Sequence, residues 1–289
     1  MYGNGIQCAN VPHCTGVGHC IVYFSLGLST TFKQIFEINS TLSFLYNNIP
    51  IGVDAVKILC IMKRFVTLLL LLILSSTMIN AQTFADFKKL ADAGDADAQY
   101  NLAMCYAKGS GVTVNYYHAT DMLKKAAQQG HIKAQNELGT SYQKGLGVTQ
   151  NYTEAVKWYR KSAEQGYGAA QYNLGTCYTN GWGVTKNHTE AAKWYRKAAE
   201  QGIAQAQYNL GYYYCQGLGV ALNYYEAVKW FKKAAEQGFA EAQYNLALCY
   251  INGYGVPQSD YESLKWFKKA AKSGQTQAQQ LLKSFGESW

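Results

Sequence analysis

Apolar and polar positions recur in the same order every 36 residues from residue 84 to the end of the chain. Alanine, leucine and aromatic residues return in phase, and the copies follow one another without insertion or deletion. Such in-phase repetition is typical of repeat architectures, in which each copy is one supersecondary unit. The five full copies start at Ala98, Ala134, Ala170, Ala206 and Ala242.

The first half of each copy predicts an amphipathic helix. In the third copy Ala170, Leu174 and Tyr178 are spaced by four residues and therefore share one helix face. A pair of glycines follows, and glycine tolerates the left-handed backbone that ends a helix. These pairs are Gly109/Gly111, Gly145/Gly147, Gly181/Gly183, Gly217/Gly219 and Gly253/Gly255.

The second half of each copy predicts another helix, which starts at a polar cap. Asn187 suits the N-cap position, and Glu190 three residues later completes a capping-box pattern. The apolar residues of this helix share one face, and the single Gly202 ends it. The equivalent caps are Asn115, Asn151, Asn223 and Ser259.

Two short helices per copy cannot cover their own apolar faces, so neighbouring copies must stack. The pattern predicts an all-α fold, a right-handed α-solenoid of helix-turn-helix units over residues 82–289. Half-repeats at 84–97 and 278–289 are expected to cap its ends. The tryptophans expected to be buried between copies are Trp158, Trp194, Trp230 and Trp266.

Residues 62–81 have the organisation of a secretory signal peptide. Lys63 and Arg64 follow a methionine, an apolar run covers 65–74, and small or polar residues lead to Ala81. A membrane span needs about 20 apolar residues, so a signal-anchor helix is the weaker alternative. We expect cleavage after Ala81 and interpret residues 1–61 as an upstream extension that is not translated.

Composition narrows the possible functions. The net charge is +8, from 26 basic and 18 acidic residues, and no basic run exceeds two residues. Nucleic-acid binding is therefore not predicted. Cys8, Cys14 and Cys20 are spaced by six residues, whereas zinc ligands usually pair two to four residues apart, so no metal or cofactor is expected.

The repeated motif Ala-Gln-Tyr-Asn-Leu-Gly, the Gly-x-Gly-Val turn and Lys-Trp-Tyr/Phe-x-Lys-Ala-Ala resemble the Sel1-like repeat (SLR) family. This family is related to the tetratricopeptide repeats and has a longer, glycine-marked turn. The resemblance covers residues 84–285 and implies a protein-interaction scaffold, often exported by bacteria. It does not imply a particular partner.

Some SLR proteins carry one disulfide inside each repeat and have been linked to β-lactam binding, and this chain departs from that pattern. Cys105, Cys177 and Cys249 occupy the same place in alternate copies, about 20 Å apart if stacked helices lie about 10 Å from each other. A disulfide requires Cα atoms within about 7 Å, so these three thiols are expected to stay free. Cys215, elsewhere on its helix, is expected to stay free as well.

The resemblance to tetratricopeptide repeats implies that the first helices line a concave groove. The third residue of each copy is then expected to face the groove, as are the residues one and two turns later. The structural alternative is that these tyrosines pack between adjacent first helices. The candidate partner-binding residues are Tyr100, Tyr172, Tyr208, Tyr212 and Tyr244, with Asn136 in the second copy.

The resulting hypothesis is an exported, non-enzymatic scaffold, periplasmic or at the cell surface of a bacterium. It would bind a partner protein or an extended peptide through the groove, with no membrane span in the mature form. One alternative is a cell-envelope enzyme or a protein that binds β-lactams or cell-wall fragments. Another is a carbohydrate-binding module that uses the tyrosines.

Overall fold

The computed structural model describes Val66 and residues 81–289, and within this part the chain is an α-solenoid, as the repeat pattern predicts. The expectations for residues 1–61 and for the signal peptide before Ala81 lie outside the described residues. Residues 81–92 form helix α1. The helices that follow are α2 (Ala96–Lys108), α3 (Tyr116–Gln128), α4 (Ile132–Lys144), α5 (Tyr152–Glu164), α6 (Gly168–Asn180), α7 (His188–Glu200), α8 (Ala204–Gln216), α9 (Tyr224–Glu236), α10 (Ala240–Asn252), α11 (Asp260–Lys272) and α12 (Thr276–Ser284).

The even-numbered helices α2 to α10 are the first helices of the five repeats, and α3 to α11 are the second helices. Each helix packs on its neighbours in chain order, most extensively on the other helix of its own repeat. Small and branched residues fill the interior between the helices, and Leu138, Leu174, Leu210 and Leu246 are completely buried. The core is therefore a row of connected clusters rather than one central nucleus.

The predicted caps of the second helices are confirmed. The Asn151 side-chain oxygen accepts a hydrogen bond from the Glu154 backbone N–H at 3.1 Å. Only this half of the capping box forms, because the Asn151 backbone N–H donates to the Tyr142 carbonyl at 2.9 Å. The Glu154 carboxylate instead pairs with Lys157 at 2.6 Å, and the same pairing recurs on α7, α9 and α11.

The two glycines between the helices of one repeat have different roles. Gly181 ends α6 with a left-handed backbone (φ 74°), as predicted. Gly183 has a positive φ as well, but it also lies against the preceding repeat. A Cβ atom at Gly183 would lie 2.2 Å from the carbonyl oxygen of Tyr152. The second glycine therefore allows neighbouring repeats to approach, a role that the sequence analysis did not assign.

The tryptophans of the second helices pack in core clusters that join the preceding repeat to the first helix of their own repeat. Trp194, Trp230 and Trp266 are buried, whereas Trp158 is half-buried beside an open cavity of about 470 Å³. Each indole carries a lysine one turn later over its ring. The ammonium-to-centroid distances are 4.4, 4.3, 4.4 and 4.1 Å for Lys161, Lys197, Lys233 and Lys269.

A ladder of glutamines joins the repeats along one edge. Gln171 is buried and donates to the Ala163 carbonyl at 3.1 Å, which ties α6 to α5. Its side-chain oxygen accepts from Gln201 at 2.8 Å, and Gln201 also donates to the Gly166 carbonyl. This buried amide is thus satisfied from both sides. The amide pair recurs at Gln99 with Gln129, Gln135 with Gln165, and Gln207 with Gln237.

Candidate protein-binding groove

The candidate site is a surface of the first helices that we call the groove face. It consists of the third, seventh and tenth residues of each copy, which stand about one turn apart on α2, α4, α6, α8 and α10. In the fourth copy these residues are Tyr208, Tyr212 and Cys215. The same places hold Tyr100, Met104 and Ala107; Asn136, Thr140 and Gln143; Tyr172, Thr176 and Thr179; and Tyr244, Leu248 and Ile251.

The tyrosines at the third position are half-buried, and each packs against a ring of its own repeat. Tyr100 stacks on His131 at 4.7 Å between ring centroids. Tyr172 lies 5.9 Å from Tyr195, and Tyr244 lies 5.4 Å from Phe267. These rings therefore contribute to packing within the repeat and also present one side to solvent. In the second copy Asn136 is buried and accepts a hydrogen bond from Asn173 of the next copy.

Tyr208 shows the same double role. Its ring lies 5.9 Å from Phe231 and 5.3 Å from Phe239. Its hydroxyl accepts a hydrogen bond from Asn245 of the next copy at 3.3 Å. Burial raises the pKa of the Tyr208 phenol, and the bond from Asn245 opposes this effect only in part. The residue thus joins two repeats as well as lining the groove face.

In the second and third copies the groove face is polar. The buried Tyr159 donates from its hydroxyl to Gln143 at 2.6 Å and lies 3.1 Å from the Thr140 hydroxyl. One repeat later, Tyr195 contacts Thr176 and Thr179 in the same way. The polar side chains on this part of the face are therefore held in place by tyrosine hydroxyls beneath them.

This hydroxyl network continues into the fourth repeat. Thr179 lies 2.6 Å from the Tyr213 hydroxyl, which lies 3.2 Å from His188 Nδ1. Burial raises the pKa of Tyr195 to about 12, although hydrogen bonds to Thr176 and Thr179 lower it. The phenol therefore stays protonated at neutral pH. A protonated phenol is a poor general base at neutral pH. The Tyr195 hydroxyl instead holds the polar side chains of the groove face in place.

In the fourth and fifth copies the groove face is apolar. Tyr212 and Ile251 expose 43% and 41% of their surface, and Leu248 and Cys215 are half-buried beside them. The residue below is Phe231 or Phe267 rather than tyrosine. A phenyl ring offers no hydroxyl, so apolar side chains cost nothing in lost hydrogen bonds at these places. The groove face is thus polar in the second and third copies and apolar in the fourth and fifth, and the first copy, with Met104 and Ala107, is apolar as well.

All four cysteines of residues 81–289 are free thiols. Burial raises the pKa of Cys177 and of Cys249 to about 12. Protonated, buried thiols are poor nucleophiles. Cys215 is half-buried, and burial raises its pKa as well.

The described residues contain no group of three or more histidine, cysteine, aspartate or glutamate side chains that could hold a metal ion. The histidines have local roles. His131 Nδ1 accepts from the Ala134 backbone N–H at 3.0 Å and so caps α4. Its Nε2 lies 3.1 Å from an Asp97 carboxylate oxygen. Both nitrogens of this ring are therefore engaged in the fold.

The sequence analysis named the groove residues but missed the division of the face. Its signal is visible in the sequence: the ring of the second helix is tyrosine in the second and third copies and phenylalanine in the fourth and fifth. The polar residues Thr140, Gln143, Thr176 and Thr179 change to apolar ones at the same point. The link between these changes requires the contacts across the helix pair, which lie 16 to 19 residues apart.

No helix among the described residues combines the length and the apolar character that crossing a bilayer requires. A search of curated proteins found no match. The Sel1 repeat profile matches residues 96–131, 132–167, 168–203, 204–239 and 240–275. Each matched repeat begins at the first residue of a first helix.

Two solved structures share 40% sequence identity with the chain. One is a protective antigen of uropathogenic Escherichia coli that displays an SLR fold, with a TM-score of 0.66. It covers 68% of this chain, which spans only 42% of the antigen's length. The other is a Sel1 repeat protein from Oxalobacter formigenes, with a TM-score of 0.63. The match covers 70% of this chain and 86% of the Oxalobacter protein. The repeat pattern, the helix pairs and these matches show that the chain belongs to the Sel1 repeat family.

Proposed function

We propose that this protein is an exported, non-enzymatic scaffold that binds an extended segment of a partner protein along the groove face. Tyr100, Tyr172, Tyr208, Tyr212 and Tyr244 are its candidate contact residues. A solenoid offers a long continuous surface, which suits a chain better than a small molecule. The observation that carries the proposal is the change along this surface from hydrogen-bonding side chains in the second and third copies to exposed apolar side chains in the fourth and fifth.

The division also describes the segment that would fit. Apolar side chains of the partner would lie against Tyr212, Leu248 and Ile251, where aromatic and aliphatic surface is exposed. Backbone or polar groups would lie against the hydroxyls and amides of the second and third copies. Tyrosine supplies large contact area at low cost in rotamer entropy, so a few such residues can dominate an affinity.

Binding is tested best at Tyr212, because its ring is exposed and its loss disturbs packing least. Partners are captured from the envelope fraction of the producing cell, and binding is measured with Tyr212→Ala and Tyr208→Ala. We expect Tyr212→Ala to weaken binding by about 1–3 kcal/mol, the range of interface hot spots, with little change in melting temperature. Tyr208→Ala should weaken binding and also lower the melting temperature, because this ring packs on Phe231 and Phe239.

The matched control is Tyr225→Ala, since Tyr225 is 69% exposed but lies on a second helix outside the groove face. This variant should bind as the parent does. Equal loss for Tyr212→Ala and Tyr225→Ala, or no loss for either, would remove the groove face from consideration.

The export part of the proposal rests on the sequence of residues 62–81. Intact-mass analysis of the exported product should give a chain that starts at Gln82, consistent with cleavage after Ala81. Peptides from residues 23–33 in that product would show that translation includes the upstream extension. Retention of the whole product inside the cell would contradict export and would leave the groove proposal to the binding measurements.

A further inference from the structure

The last second helix, α11, has a side that its counterparts bury. At the place of Leu264, Val156 and Val228 are buried in α5 and α9, with exposures of 4% and 7%. Leu264 itself is 37% exposed. In the earlier repeats the glycine turn of the following copy covers this side, as when Gly183 lies against Tyr152. Only α12 follows α11 among the described residues, so no such turn covers it there.

The uncovered side of α11 is basic. Helices α5, α7 and α9 end on glutamate, whereas α11 ends on Lys272. Lys265 pairs with Glu262 at 2.9 Å and Lys268 pairs with Glu287 at 2.8 Å, while no described residue forms an ion pair with Lys272. A shallow cavity of about 330 Å³ brings these side chains together, and its lining is Tyr261, Leu264, Lys265, Lys268, Lys269 and Lys272.

Exposed aromatic residues lie on α11 itself and on the C-terminal tail that contacts it. Tyr261 is 76% exposed and lines the same cavity. The pair between Lys268 and Glu287 holds the C-terminal tail against α11. Two residues to either side of Glu287 stand Phe285 and Trp289, which are 73% and 44% exposed. The C-terminal end of the described solenoid thus carries three exposed rings and an exposed leucine, of which Tyr261 and Leu264 line the lysine-rich cavity.

We propose that this end, which we call the α11 face, docks on the surface of an anionic lipid bilayer. Proteins that bind at a bilayer surface place aromatic rings at the level of the lipid headgroups and apolar side chains just below that level. Their lysines face the anionic headgroups. The surface is independent of the groove face, so a partner could bind there while the protein lies on a membrane.

The test measures co-sedimentation of the full chain with vesicles of phosphatidylcholine, with and without phosphatidylglycerol. Residues 62–81 are common to every variant, so a difference between two variants is not due to them. The parent should prefer the anionic vesicles, and this preference should weaken as salt is added. The double variant Lys268→Gln/Lys272→Gln should lose about 25-fold in binding to anionic vesicles, because each lysine near such a surface contributes roughly fivefold.

The matched control is Lys193→Gln/Lys229→Gln, which removes the same charge from α7 and α9. It should retain the preference of the parent. Tyr261→Ala should weaken binding to anionic vesicles, which a purely electrostatic attraction would not predict.

Several results would overturn the proposal. One is no preference for anionic vesicles, and another is equal loss for the two double variants. A third is that the protein binds no vesicles but binds polyglutamate tightly, and that the α11 variant abolishes this polyglutamate binding. This result would assign the face to an acidic protein segment. A fourth is a doubled mass of the free protein that the same variant halves, which would assign the face to a second copy.

Discussion

At the scale of single residues, one position shows how a small change in a repeat leaves a buried group without its partner. In four repeats a glutamine just after the second helix donates a hydrogen bond to the buried glutamine of the first helix. In the fifth repeat Ser273 stands in its place. Gln243 keeps its bond to the Ala235 carbonyl, but its side-chain oxygen is buried and has no partner among the described residues. A serine is too short to span the distance that Gln237 spans one repeat earlier. An unpaired buried acceptor costs free energy, typically about 1–3 kcal/mol.

Ser273→Gln should therefore stabilise the protein. Ser273 has the same backbone conformation as Gln237, so the new side chain can adopt the geometry of the other junctions. We expect the free energy of unfolding in urea to rise by about 1 kcal/mol. The reverse control is Gln201→Ser, which should lower it by about 1–3 kcal/mol by leaving Gln171 unpaired. A neutral effect of Ser273→Gln would mean that Gln243 is already satisfied by solvent.

Buried acids make a second prediction at this scale, on the dependence of stability on pH. Cys177 has a pKa of about 12 in the folded chain, against an ordinary value of 9.0. Above pH 9 the unfolded chain loses this proton first, so the contribution of the thiol is complete below pH 9 and disappears between pH 9 and 12. The free energy by which the parent exceeds Cys177→Ala in stability should shrink by about 2 kcal/mol between pH 8 and 11. A constant difference would show that the thiol ionises equally in both states.

At the scale of helices and turns, some residues determine where a helix starts or ends, and residues close to them in the chain determine how closely two repeats pack. The asparagine caps and the first glycine of each turn determine where a helix starts and stops. The second glycine serves the approach of two repeats. Gly202 offers a comparison, since it has a positive φ of 88° but no atom within 4 Å of the Cβ position.

Gly183→Ala should therefore be more damaging than Gly202→Ala. Gly202→Ala costs only the strain of an alanine in the left-handed backbone conformation, about 1–2 kcal/mol. Gly183→Ala adds a Cβ atom 2.2 Å from the Tyr152 carbonyl oxygen, which requires the two repeats to separate. We expect Gly183→Ala to cost at least about 2 kcal/mol more, measured by urea unfolding. Similar losses for both variants would reduce the second glycine to a turn residue.

At the scale of the whole molecule, the core is a chain of clusters, and each contacts only the next. Trp194 packs with Val156 and Tyr159 of α5 and with Leu174 of α6. In such an array, stability is the sum of repeat terms and interface terms. A substitution that destabilises one interface between repeats should therefore increase local unfolding mainly in the helices next to that interface.

Trp194→Ala should destabilise by about 3–5 kcal/mol, as for other large core aromatics. Hydrogen exchange should accelerate most in α5, α6 and α7 and least in α10 to α12. The control Trp289→Ala, in the exposed C-terminal tail, should leave exchange in α5 to α7 unchanged. Equal acceleration along the whole solenoid would show that the repeats unfold as one unit.

The sequence by itself determined the period, the two helices of each copy, their caps, the glycine stops and hence the solenoid. These features depend on spacings within a few turns of one helix, and such spacings can be read along the chain. It also named candidate groove residues, although not how far each of them is packed.

Only the tertiary structure decided the second role of Gly183, the pairing of Gln171 with Gln201, and the exposure of Leu264. The glutamine pair depends on contacts between the two helices of one copy, and the other two features depend on which atoms meet when copies stack. Equivalent repeat positions therefore differ in environment according to which described elements pack on them. For that reason Val228 is buried, whereas Leu264, one repeat later, faces solvent.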